Sequence, residues 1–127
     1  MADKVERVEI KSETHFEELV KAAEDPRLFV VDLYCCWCGP CNAVLPALRD
    51  LLLRVEAFPE RCCFAAAAAA ALPQLAAALG ASATPKFLFF RDGVLQAQVL
   101  GANAPQLQQK ILELLPPLQQ TPTANFA

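Results

Sequence analysis

Leu28-Phe29-Val30-Val31-Asp32-Leu33-Tyr34-Cys35-Cys36-Trp37-Cys38-Gly39-Pro40-Cys41 is the stretch on which the reading of this 127-residue chain turns. Its first half is almost continuously apolar and rich in β-formers, as expected of a central strand covered on both faces. One residue breaks that run, Asp32. The second half holds four cysteines, and Gly39-Pro40 separates Cys38 from Cys41. From Cys38 to about Glu56 the pattern is helical, with Val44, Leu45, Leu48, Leu51, Leu52 and Val55 as the apolar stripe. Pro40 is tolerated in the first turn of such a helix, whereas Pro46 lies inside it and is predicted to kink it.

The remaining elements follow on either side. Val5, Val8 and Ile10 predict a short first strand. Ser12, or the pair Thr14 and Glu17, offers capping chemistry for a helix through Phe16, Leu19, Val20 and Ala23, which Asp25-Pro26 stops. Cys62 to about Ala67 reads as a buried strand, although alanine is a poor strand former. Pro73 to Leu79 reads as a short helix with Pro at its start and Gly80 just past its end. Lys86 to Phe90 and Val94 to Val99 are strands around Arg91-Asp92-Gly93, a hairpin signal. Asn103 caps a last helix whose apolar face is Leu107, Ile111, Leu114 and Leu115. The order βαβαβαββα predicts an α/β fold with a mixed central sheet flanked by helices. Residues 1–115 form the domain, and 116–127, polar and rich in Pro and Gln, are read as a flexible C-terminal tail. The low-complexity run Ala65 to Ala71 has no repeat around it.

Composition narrows the function. Apolar residues make 55% of the chain and the net charge is −3, so a basic nucleic-acid-binding surface is excluded. Six cysteines in 127 residues, two pairs of them adjacent, do not make a stapled secreted framework. MADKVERVEI alternates charge with apolar residues and lacks a signal-type apolar run, so a cytoplasmic, reducing setting is expected. Residues 62–79 are apolar but mostly alanine and are interrupted by Pro73 and Gln74, so no membrane span is expected.

Cysteines at i and i+3 on a helix's first turn lie on one face, close enough to form a disulfide. A helix N-terminus favours a thiolate at Cys38, and Cys41, one turn deeper, suits a resolving thiol. Burial of Asp32 in an apolar strand raises its pKa toward the range useful for proton transfer. The other reading of Asp32 is a structural carboxylate paired with a backbone group. Trp37 either covers a groove beside the thiols or is a core residue. A zinc site would recruit Cys38 and Cys41 with two of Cys35, Cys36, Cys62 and Cys63, but no separate second CxxC exists beyond the Cys35–Cys38 spacing that shares Cys38, and no metal is expected. Cys62 and Cys63 are read as strand packing, Cys35 as inward and inert, Cys36 as facing solvent, and His15 as a surface residue.

Through VVDLYCCWCGPC, the SATPKFLFF strand, the RDG turn and the VLGA segment, the chain resembles the thioredoxin superfamily from about Leu28 to Leu115. The resemblance implies a protein-disulfide oxidoreductase site with Cys38 as nucleophile, Cys41 as resolving thiol and Asp32 as the carboxylate that serves it. It implies a substrate groove formed by Trp37, Gly39, Pro40, Thr84, Pro85 and Gly101, with a cis bond between Thr84 and Pro85. It implies no cofactor beyond a redox-active Cys38–Cys41 disulfide, and protein disulfides as substrates. Two departures remove positive charge near the thiols. A lysine that many members carry near the buried Asp falls around Ala66, and Asn42 stands where a lysine often follows the second cysteine.

Gly101-Ala102-Asn103-Ala104-Pro105 resembles the GANAP segment of thioredoxin-like proteins of cilia and flagella. These are the thioredoxin-like light chains of outer-arm axonemal dynein and the modules fused to nucleoside diphosphate kinase domains. That likeness implies an axonemal location, with a dynein heavy chain and other outer-arm subunits as partners. A free cytosolic thioredoxin acting as a general disulfide reductase is the other expectation.

Overall fold

Burial of all seven residues of Leu28–Tyr34 marks the central strand of the sheet. The computed structural model describes residues 5–21, 24–35, 39–79 and 85–118. In chain order the elements are β1 (Arg7–Ile10), α1 (Glu13–Val20), β2 (Leu28–Tyr34), α2 (Leu45–Arg54), α3 (Phe58–Arg61), β3 (Cys62–Ala68), a 3-10 turn at Ala69–Ala71, α4 (Pro73–Leu79), β4 (Lys86–Arg91), β5 (Val94–Leu100) and α5 (Ala104–Leu114). The strands lie in the order β1-β3-β2-β4-β5. β1 and β2 both pair parallel with β3, whereas β4 is antiparallel to β2 and β5 to β4. The sheet is therefore mixed, as the alternation of strands and helices followed by a hairpin requires.

Strand alternation divides the core into two halves. Leu28, Val30, Phe64, Phe87 and Phe89 pack on one face with Val44, Leu48 and Leu51 of the α2 segment and Leu107 and Ile111 of α5. Phe29, Val31, Leu33, Leu88 and Phe90 face the other way, against Phe16 and Val20 of α1. β3 forms despite its alanines because it is hydrogen-bonded to β1 along one edge and β2 along the other, and Ala65, Ala66 and Ala67 are fully buried there. Tertiary pairing overrides a weak intrinsic preference.

Local signals place the ends of elements. Ser12, not Thr14, caps α1, its hydroxyl accepting from the His15 N–H at 3.0 Å. The Asn103 side chain accepts from the Gln106 N–H at 3.1 Å and caps α5. The hairpin turns through Asp92 and Gly93 with φ of 53° and 76°, the left-handed conformation that tight two-residue loops need. Ala23 and Gly80 fall outside the described residues.

Two expectations are corrected in the segment after the dithiol. The helix expected from Cys38 begins only at Leu45, and Gly39–Val44 is not helical. Gly39 at φ +74° turns the chain out of a helical path, and Pro40 follows it directly. Pro46, expected as an interior kink, is the second residue of α2. There its missing N–H is one of the donors a helix start leaves unpaired in any case. The short helix α3, with Pro59 as its second residue and Phe58 buried, was not anticipated, because four residues carry too little periodicity to read.

Replacing Pro46 by Ala is therefore expected to change stability by less than about 1 kcal/mol in urea unfolding. An interior, kink-forming proline would instead yield a gain of about 3 kcal/mol.

Candidate functional site: a buried carboxylate on the second cysteine

β2 delivers the cysteine segment to one end of the sheet, and register brings two more segments to the same end. Leu33 pairs with Lys86, and Lys86 with Leu100. Pro85 and Gly101, each one residue beyond that row, therefore adjoin the end of β2. The Gly101 N–H donates to the Pro85 carbonyl at 2.8 Å and holds the two segments together. Gly39 donates its N–H to the Cys35 carbonyl at 3.3 Å, and nothing lies within 4 Å of where its Cβ would stand. Pro40 and Cys41 are half-buried. Of the residues expected to form the site, Asp32, Gly39, Pro40, Cys41, Pro85 and Gly101 thus gather at one end of the sheet. Cys38, Trp37 and Thr84 lie outside the described residues, and with Thr84 so does the Thr84–Pro85 bond.

Asp32 is the one charged side chain in the buried set among the described residues, with none of its surface exposed. Its Oδ2 accepts the Cys41 N–H at 2.7 Å, while Oδ1 has no partner among the described residues. Desolvation pushes this carboxyl up from 3.8 to about 6, against the opposing pull of the Cys41 hydrogen bond and the Arg7 charge. Glu9 adds a smaller upward push. The residue directly across from Asp32 on β3 is Ala66, as counting back from Pro85 anticipates. No positive charge stands there.

A cation reaches the site from elsewhere. Arg7 Nη1 donates to the Cys41 carbonyl at 3.3 Å, so both polar groups of the Cys41 backbone are held by side chains, from β2 and from β1. Beside them the Tyr34 hydroxyl donates to Glu9 Oε2 at 2.9 Å. Burial raises the Tyr34 phenol, helped by the Glu9 carboxylate. Sequence reading missed Arg7 and Glu9. Their only signal is polarity at alternate positions of an edge strand, and their link to Asp32 exists only once β3 lies between.

The other cysteines separate from this cluster. Cys62 pairs with Leu28 and Ala68 with Tyr34, so Cys62 is a strand length, roughly 20 Å, from the end that carries Cys35. Burial drives the Cys62 thiol up to about 12 and raises Cys63 as well. Both are protonated packing groups, and the zinc arrangement that recruits them with the dithiol is overturned by this distance. A cavity of about 420 Å³ at their end of the sheet, lined among others by Val5, Leu52, Phe58 and Cys62, is likewise far from Asp32. Cys35 is half-buried rather than fully inward, and Cys36 falls outside the described residues. His15 is half-buried and accepts the Lys11 N–H on Nδ1 at 3.2 Å. Among the described residues no three His, Cys, Asp or Glu side chains gather as metal ligands would. No described helix is long and apolar enough to cross a membrane.

A strand, cysteine turn and helix beside a proline segment on a mixed sheet match known proteins along most of the chain. A family model described as Thioredoxin matches residues 7–113. The chain belongs to the thioredoxin family. The flagellar outer-arm dynein 16 kDa light chain of Chlamydomonas reinhardtii is 35% identical over 98 residues, covering 70% of this chain. The match spans 58% of that light chain's own length. Thioredoxin Asp f 29 of Aspergillus fumigatus is 36% identical over 96 residues, covering 76% of this chain and 84% of that protein. Among solved structures, oxidised mitochondrial thioredoxin 3 of Saccharomyces cerevisiae superposes with a TM-score of 0.65 at 30% identity, covering 85% of this chain and 95% of that one. Thioredoxin-family proteins hold their redox disulfide within the polypeptide and use no separate cofactor.

The elevated Asp32 carboxyl has a stability signature. Between 3.8 and about 6 the folded state binds a proton that the unfolded state has released, so stability falls as pH rises through that window. Above it the ionised carboxylate costs about 3 kcal/mol. Asp32→Asn removes the titration, so its stability relative to the parent is expected to rise by about 2.4 kcal/mol between pH 4 and pH 8. Urea unfolding across that range checks this, and a pH-independent difference would contradict it.

Proposed function

We propose that this thioredoxin-family chain is a dithiol subunit of an outer-arm axonemal dynein, with Cys38 and Cys41 as a thiol–disulfide exchange site that makes its contact with a heavy chain redox-sensitive. The observation that carries the chemistry is the carboxylate of Asp32, buried against Cys41 with one oxygen unpartnered among the described residues. The Cys38 thiolate attacks a sulfur of a partner disulfide, forming a mixed disulfide and releasing the other partner sulfur as thiolate. Asp32 takes the proton of Cys41, whose thiolate attacks the Cys38 sulfur. The second partner thiolate leaves, and a Cys38–Cys41 disulfide remains: the partner gains two electrons and the dithiol loses two. Trp37, Gly39, Pro40, Thr84, Pro85 and Gly101 would flank the extended partner segment.

The location is supported by the 35% identity to the flagellar dynein light chain and by Gly101-Ala102-Asn103-Ala104-Pro105. A second reading, a free thioredoxin reducing many proteins, is favoured by the similar identity to Thioredoxin Asp f 29, most of whose length is matched. The two readings share every chemical step and differ in partner. Stable docking buries about 1,200 Å² or more, beyond what a groove at Pro85 and Gly101 offers, so the subunit reading requires a second contact surface away from the dithiol.

Cys41→Ser arrests the reaction at the mixed disulfide, and the protein captured on Cys38 identifies the partner. One dominant, very large partner is expected for the subunit, and a broad set of small proteins for the free reductase. A Cys38→Ser, Cys41→Ser double variant is expected to co-sediment with outer-arm dynein still, because docking uses the second surface. Failure of the unsubstituted chain to co-sediment overturns the dynein assignment.

A further inference from the structure

The row Glu9–Ala66–Asp32–Phe87 crosses four strands on one face of the sheet. Two residues back on β1, and on the same face, is Arg7. Ala66 ends at its methyl group, so it puts no long side chain between the edge strand and the buried carboxylate. Arg7 uses this opening to reach the Cys41 carbonyl at 3.3 Å, while Glu9 is held by the Tyr34 hydroxyl at 2.9 Å. Val44, Leu48, Phe87 and Leu107 of the core on this face are apolar. Among the described residues, Arg7 and Glu9, of opposite charge, act on Asp32 there, and the Tyr34 phenol lies beside it.

We propose that Arg7 is a positioning residue of the dithiol site: its guanidinium fixes the Cys41 backbone through the carbonyl and favours the ionised form of Asp32, and Glu9, anchored by Tyr34, opposes it. This rests on the reading of Asp32 as the group that takes the Cys41 proton. Ala66 and Asn42 leave no cation beside the thiols from β3 or from the residue after Cys41, and the edge strand supplies one instead. The pair sets the pH range over which Asp32 is ionised and can take the Cys41 proton for release of a bound partner. Arg7 extends that range toward lower pH, and Glu9 limits the extension.

Three variants of the whole chain test this: Arg7→Met, Arg7→Lys and Glu9→Gln. The Asp32 carboxyl carbon is followed by NMR against pH, a readout that needs no redox partner. Two strand spacings put the Glu9 and Asp32 backbones roughly 10 Å apart, where a unit charge at an effective dielectric near 20 moves a titration by about one pH unit. Arg7→Met is expected to raise the Asp32 midpoint by about one unit and Glu9→Gln to lower it by a smaller amount, while Arg7→Lys keeps it near the parent value. An unchanged midpoint in Arg7→Met overturns the proposal, and so does an Arg7→Lys shift as large as that of Arg7→Met. Should Arg7→Met fail to fold, Glu9→Gln at its exposed position decides through the sign of its shift. The rate at which Cys41 resolves a mixed disulfide on Cys38 is measured in parallel. Midpoints that move while that rate stays constant support the charge pair and remove Asp32 from the reaction. A rate that needs Asp32 while the midpoints stay fixed removes Arg7 alone.

Discussion

A carboxylate in the centre of a fully buried strand is the most expensive feature of this structure, and several neighbouring choices follow from it. Leaving Asp32 without a donor would cost several kcal/mol, and the chain offsets part of that with the Cys41 N–H. For that N–H to point at β2, the segment after the cysteines has to fold back over the sheet before any helix begins. Gly39 with its positive φ and Pro40 make that return, and α2 starts four residues beyond Cys41. The position of the second cysteine is thus tied to the buried charge, and neither is independent of the late helix start.

The alanines of β3 belong to the same constraint. A strand lying between β1 and β2 with helices over the sheet has little room, and Ala65, Ala66 and Ala67 take up little of it. Bulk comes instead from Phe29, Phe87 and Phe89, which fill the two halves of the core from neighbouring strands. At Ala66 the small side chain has an electrostatic consequence too, because the space between Asp32 and β1 is open to the charges of β1. Within the run Ala65–Ala71, the first three alanines are thus a packing solution inside the sheet, whereas Ala69–Ala71 form the 3-10 turn beyond it.

Legibility in the sequence followed the range of the interactions involved. β2, the β4–β5 hairpin, α4 and both capped helices were readable because their signals are local: a continuous apolar run, an Asp-Gly turn, a proline at a helix start, and Ser12 and Asn103 at caps. The burial of Asp32 was readable for the same reason. The start of α2 was misread because apolar spacing continues through Val44 and Leu45, and periodicity does not register a glycine that leaves the helical path. Pro46 was the available local clue, since a proline fits a second helical position better than an interior one. The local clue to Arg7 and Glu9, polarity alternating along an edge strand, says nothing of Asp32, because their relation to it passes through the register of three strands.

The GANAP segment shows how a shared motif and a shared partner come apart. In this chain Gly101 donates to Pro85, Asn103 caps α5, and Pro105 occupies the second position of that helix. Three of the five residues thus do folding work at the passage from β5 to α5, beside the end of the sheet where the cysteines emerge. Those three duties are met within the chain and need no partner. Partner choice therefore has to be written on side chains without a folding task. Leu53 of α2 and Leu112 of α5 are more than half exposed, on two helices that cover the same face of the sheet. Burial of either side chain against a partner would add apolar contact that the fold's own core supplies only in part.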